Sequence, residues 1–326
     1  MSGPATTGAV VSLSGKDPRG YEPHPLHAAQ RSYVESNCYT DIVIELLHAC
    51  GYEPLAAFGH LTRMDFEGDQ WTFFKPPPED LEALFGIDIH EMQPYRPLPV
   101  QIAEQIAGGR TIIVELDAWY LPDTASTSYR REHVKTSVGA DAIDLDAETF
   151  RYFHGTGLHE LRGEDYRGAL RLETEAPAAA LPPYTELVRF DAGPRLEGEE
   201  LRAAARELLG RHLGRRPRRN PFEGFGERLV SELPRLLGGD LDEYHAYAFA
   251  TVRMAGAAFE IAASHAEWLF GDDAAAATAS MREIVDGCKV VSFRLARRRS
   301  FEVAPLIEPL AGAWARAMEA LAEALP

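Results

Sequence analysis

Cys38, His133 and Asp117 are the residues in this sequence whose types, order and spacing could perform covalent chemistry. A thiolate is the nucleophile of cysteine chemistry, and a helix N-terminus favours it through the backbone dipole and free N–H groups. Cys38 opens such a helix. Tyr39, Ile42, Val43, Leu46, Leu47 and Cys50 form an i, i+3, i+4, i+7 apolar stripe that stops at Gly51, and Asn37 precedes it as a side-chain cap. Nucleophilic catalysis also needs an imidazole to move the proton and a third group to orient that imidazole. Without such partners, Cys38 reads as a small buried hydrophobe. Cys50, on the apolar stripe, and Cys288, inside a later helical pattern, read that way in any case.

The elements around these residues follow from local pattern. Thr111-Ile112-Ile113-Val114-Glu115-Leu116 reads as a core strand ending at Asp117, after a short helix that reaches Gly108-Gly109. His133–Asp144 and Thr149–His154 read as a hairpin with His133 at the start of its first strand. Strand character is also expected at Trp71-Thr72-Phe73-Phe74, and a helix at Glu79–Phe85 after Pro76-Pro77-Pro78. Ala176–Pro183, dominated by Ala and Pro, reads as a linker. From about Glu197 the apolar spacing is helical throughout: Leu201, Leu208 and Leu209 share one segment, and Tyr244, Tyr247, Thr251, Met254, Ala258, Ile261, His265 and Trp268 another.

The expected organisation is α+β: a flexible N-terminus over 1–19, a catalytic domain over 20–180, a linker over 181–194 and an all-α helical domain over 195–326. Two domains suit a chain of 326 residues. The net charge of -17 opposes non-specific binding to nucleic acid or anionic membranes, and no stretch is long and apolar enough for a membrane span. The first residues lack a basic segment followed by an apolar run, so a cytoplasmic location is expected. Three cysteines do not make a disulfide framework, and no CxxC or HExxH spacing offers a metal site; His159-Glu160 lacks the second histidine. Gly224-Phe225-Gly226 is too little for a nucleotide loop, and no bound cofactor is expected.

Ser36-Asn37-Cys38-Tyr39-Thr40-Asp41, then Val114-Glu115-Leu116-Asp117-Ala118-Trp119-Tyr120-Leu121-Pro122, then His133 together resemble the papain-like acyltransferase family of butirosin biosynthesis. The segments Tyr152-Phe153-His154 and Glu164-Asp165-Tyr166 resemble a second bacterial family with the same N-terminal half, found beside ligases that load amino acids onto carrier proteins. The resemblance covers roughly residues 20–170. It implies a papain-like domain in which Cys38 accepts an acyl or aminoacyl group from the phosphopantetheine arm of a carrier protein and passes it to an amine, with His133 as base. The alternatives are a thiol hydrolase (a thioesterase or amidase) on the same pair, and a non-catalytic carrier-protein binding module.

The third residue has two candidates. Asp117 would face the imidazole across an antiparallel turn-back; a papain-like arrangement would instead draw on the following strand near His154, although Gly155 stands where the family pattern has Asn. Read structurally, Asp117 caps a loop and His154 is a satisfied histidine. The oxyanion donor is expected to be the Cys38 backbone N–H, aided by Gln30 or Asn37. Arg211, Arg215, Arg216, Arg218 and Arg219, bracketed by Pro217 and Pro221, form a basic patch in an acidic chain, either a docking surface for an acidic carrier protein or a solvated loop.

Overall fold

In the computed structural model, residues 11–172 and 182–325 are described. The fold is α+β, an antiparallel sheet joined in sequence to a helical C-terminal region. The chain divides into two compact units that interleave along the sequence. One comprises Met1–Pro25, Asn37–Glu53 and Leu81–Arg195, and the other Leu26–Ser36, Pro54–Asp80 and Leu196–Pro326. The segments 26–36 and 54–80 group with the C-terminal helices instead of the sheet.

The sheet strands are β1 (Val11–Ser12), β2 (Asp88–Glu91), β3 (Thr111–Asp117), β4 (Lys135–Asp144), β5 (Thr149–His154), β6 (Gly157–Arg162) and β7 (Thr185–Arg189), in the order β2-β7-β3-β4-β5-β6 with β1 on β4. Three expectations are corrected here. Residues 11–12 are paired instead of loose, with Ser14 N–H donating to Asp141 at 3.0 Å. The expected linker over 181–194 contains β7, hydrogen-bonded between β2 and β3; residues 176–181 of the Ala- and Pro-rich stretch lie outside the described residues. Trp71–Phe74 is not a strand: Trp71 makes one isolated bridge to Phe66, and its ring packs with Phe222 and Phe225.

Side chains alternate between the faces of a strand. Ile112, Val114, Leu116, Val138, Ala140 and Tyr152 share one buried cluster with Leu98, Ile102 and Ile106 of a helix over Leu98–Ala107. Ile113, Glu115 and Asp117 of β3, and Lys135, Ser137 and Gly139 of β4, therefore face the other way. That second face carries α1 (Cys38–Ala49). Ile42 of α1 seats on Gly139, where a Cβ would come within 2.7 Å of Ile42 Cγ2.

In the other unit, a 3-10 segment over Pro54–Arg63 packs with α2 (Gly198–Leu213) and α4 (Met254–Phe270), which α3 (Pro221–Gly238) separates in sequence. Two further helices follow as α5 (Ala275–Ala296) and α6 (Ala304–Ala324). Among the described residues no helix is long and apolar enough to cross a membrane.

Candidate active site

α1 begins where the sequence places it. Asn37 is extended, and its side-chain oxygen accepts the Thr40 N–H at 3.0 Å, which closes the first turn directly behind Cys38. The Cys38 N–H, at the first helical position, has no intrahelical acceptor. At the other end of α1, the Cys50 thiol has the Asp141 carboxylate as a charged neighbour. With Ile42 on Gly139 and Cys50 near Asp141, the helix runs in the direction of β4, and its N-terminus points toward the end of the strand that His133 precedes.

His133 lies two residues before β4, and the ladder continues past the strand end through Ala118 N–H donating to the Val134 carbonyl at 2.8 Å. His133 Nδ1 and Asp117 Oδ2 are 2.7 Å apart. Asp117 Oδ1 accepts the Trp119 N–H at 3.0 Å, and the Trp119 ring lies flat on the imidazole, with centroids 4.5 Å apart and planes 10° apart. The carboxylate thus both caps its loop and holds the ring. An Nδ1–H donated to Asp117 leaves Nε2 as the basic nitrogen. Nε2 has no partner among the described residues, and the side chain is 66% exposed. Cys38 and His133 are not hydrogen-bonded to each other; the fold places them on one face of one sheet.

His154 is elsewhere. Its register beside Tyr152 puts it on the opposite face, with Nδ1 2.5 Å from Asp123 Oδ2 and Nε2 2.9 Å from Thr136 Oγ1. Tyr152 donates to the second Asp123 oxygen. Burial alone would raise the Asp123 carboxyl, but the hydrogen bond and charge of His154, with His159 and Tyr152, hold it below the usual range. This network ties the loop after β3 to β5, so His154 is set apart from Cys38.

The remaining expected residues divide. Asn37 spends its side-chain oxygen on the cap. Gln30 is exposed in a turn and belongs to the helical unit. Arg211, in the last turn of α2, pairs with Glu207 at 4.0 Å, and Arg219, in the loop that follows, with Glu223 and Glu227. Arg215, Arg216 and Arg218 have no carboxylate partner among the described residues, so the basic patch is smaller than its arginine count.

Sequence reasoning missed the first-turn anchor of α1, where Tyr39 donates to Glu186 Oε2 at 2.6 Å and Tyr184 to Oε1 at 2.9 Å. Burial and the adjoining carboxylate push the Tyr39 hydroxyl far up, which keeps it a donor. No signal marked Glu186, one acid among many in an expected linker. Trp119 could have been found from its place two residues after Asp117.

Residues 22–190 match the DUF1839 N-terminal domain, and residues 198–323 the DUF1839 C-terminal domain. The chain belongs to the DUF1839 family. No curated protein matches it with significance. Among the described residues, no group of three or more His, Cys, Asp or Glu side chains is arranged to hold a metal ion.

Proposed function

We propose that this DUF1839 protein is a cysteine-dependent acyl or aminoacyl transferase with a papain-like catalytic unit, acting on a carrier-protein thioester through an acyl-Cys38 intermediate. The observation that carries the reading is the Asp117–His133 pair on the sheet face where α1 presents Cys38 at its N-terminus.

In this scheme the Cys38 thiolate attacks the thioester carbonyl, and the Cys38 backbone N–H supports the oxyanion. The pantetheine sulfur leaves and takes a proton from the His133 imidazolium. An amine then attacks the acyl-Cys38 carbonyl, His133 Nε2 removes its proton, and the amide departs as the Cys38 thiolate is restored. Asp117 holds His133 in the required tautomer and stabilises its charged form. An acidic carrier protein would approach Arg216 and Arg218, the local basic surface on a chain of net charge -17.

Intact-mass spectrometry after incubation with acyl-loaded carrier protein tests the reading. The expected result is one acyl adduct, absent in Cys38→Ala and discharged by an amine. Discharge by water alone would make the protein a hydrolase, and no adduct with an unreactive Cys38 would make it a binding module.

A further inference from the structure

A cavity of about 370 Å³ in the helical unit is lined by the 60–77 segment and the loop after α2. Arg63, Lys75 and Arg215 line it, against the carboxylates of Asp65 and Glu67, three positive charges to two negative. Both carboxylates are engaged locally: Asp65 accepts the Phe66 N–H at 2.8 Å, and Glu67 accepts the Thr72 hydroxyl at 2.9 Å. Arg63 and Arg215 form no ion pair among the described residues. Neither guanidinium is neutralised by a neighbouring carboxylate of the described residues. Two left without one on the wall of a single cavity are therefore cations available to an anion from solution.

His60, also on the cavity wall, adds direction. Its Nδ1 is 3.0 Å from the Ala57 carbonyl and donates to it, which leaves Nε2 as an acceptor. Nε2 is buried and has no partner among the described residues. An unmet buried acceptor costs free energy that a ligand O–H would recover. Half-exposed Phe73 and Pro217 supply an apolar wall beside the charges.

We propose that this cavity binds a small phosphate monoester with an apolar or aromatic body, Arg63 and Arg215 donating to its anionic oxygens and His60 Nε2 accepting its P–O–H. A phosphate monoester satisfies both requirements because its second ionisation lies near pH 6, so one proton is readily shared with the ring. A carboxylate or a sulfate monoester, fully ionised, matches the arginines but brings no proton to Nε2. The site does not depend on the chemistry at Cys38.

Calorimetric titration of the full chain with phenyl phosphate, phenyl sulfate and benzoate at neutral pH tests this. Phenyl phosphate should bind saturably at one site. The other two probes should bind at least about tenfold more weakly because they lose the hydrogen bond to His60 Nε2, as should phenyl phosphate to the Arg63→Gln/Arg215→Gln double variant, which loses the charge-assisted donors. Arg299→Gln, an exposed arginine outside the cavity, should bind phenyl phosphate as the parent does. No saturable binding of phenyl phosphate, or equal binding by the double variant, would overturn the site. Phenyl sulfate binding as tightly as phenyl phosphate would overturn the phosphate assignment and the role of His60.

Discussion

Ile42 sits on Gly139 with no room for a side chain between helix and strand: a Cβ there would meet Ile42 Cγ2 at 2.7 Å. Gly139→Ala should therefore push α1 off the sheet and cost about 1–3 kcal/mol by overpacking. Ile42→Leu removes the offending methyl branch, so the double variant should recover part of that loss. Urea unfolding of the two single variants and the double variant measures the coupling; a Gly139→Ala protein as stable as the parent would show that the seam has slack.

Asp117→Asn keeps the size of the side chain but loses the carboxylate that holds His133 Nδ1–H. Acyl transfer should fall by about 10²–10⁴, the loss expected when a catalytic imidazole is left in the wrong tautomer. Stability should change by less than about 0.5 kcal/mol, since the pair is at the surface. Nitrogen-15 shifts of the His133 ring read the tautomer directly, and an unchanged ring spectrum would separate Asp117 from the role given to it.

The three thiols should differ sharply toward iodoacetamide. Burial pushes Cys50 and Cys288 up to about 12, so both stay protonated in the native protein at neutral pH. Peptide mapping should find alkylation confined to Cys38 until denaturant is added, when all three react. Native labelling of Cys50 as fast as Cys38 would contradict this.

Acid should destabilise the helical unit before its carboxylates titrate. Burial lowers His60 and His265 to about 4, and each donates Nδ1–H to a backbone carbonyl of the 3-10 segment, Ala57 and Leu55. An unfolded histidine titrates near 6.5, so below that pH the unfolded chain binds more protons and stability drops as pH falls toward 4. Each ring should withdraw about 2 kcal/mol between pH 7 and pH 5. His265→Gln should reduce that slope in urea titrations, and a parent stability flat across the interval would refute buried neutral rings.

The parts of the fold legible in the sequence are those set by local pattern. The α1 stripe, its Asn37 cap, β3 up to Asp117 and the β4–β5 hairpin each carry their own periodicity and punctuation. β7 escaped because one of its buried side chains is Glu186, held by two tyrosine hydroxyls, a pairing between distant segments that breaks the apolar alternation. His154 reads as a candidate third residue because chain order says nothing about strand faces; the register with β4 turns it to the opposite face. The interleaved units were equally hidden: Trp71 and Phe74 look like strand residues until Phe222 and Phe225 become available to pack with Trp71.

That interleaving dictates the order in which the protein can mature on the ribosome. The 54–80 segment is synthesised early, yet the helices that bury Phe58, Leu61 and Trp71 come from beyond residue 196. Until more than a hundred further residues have emerged, an aromatic stretch waits uncovered near the tunnel exit, a substrate for holdase chaperones. The same logic makes residue 195 a poor place to divide the gene, because an N-terminal fragment would retain Pro54–Asp80 without the helices it packs against.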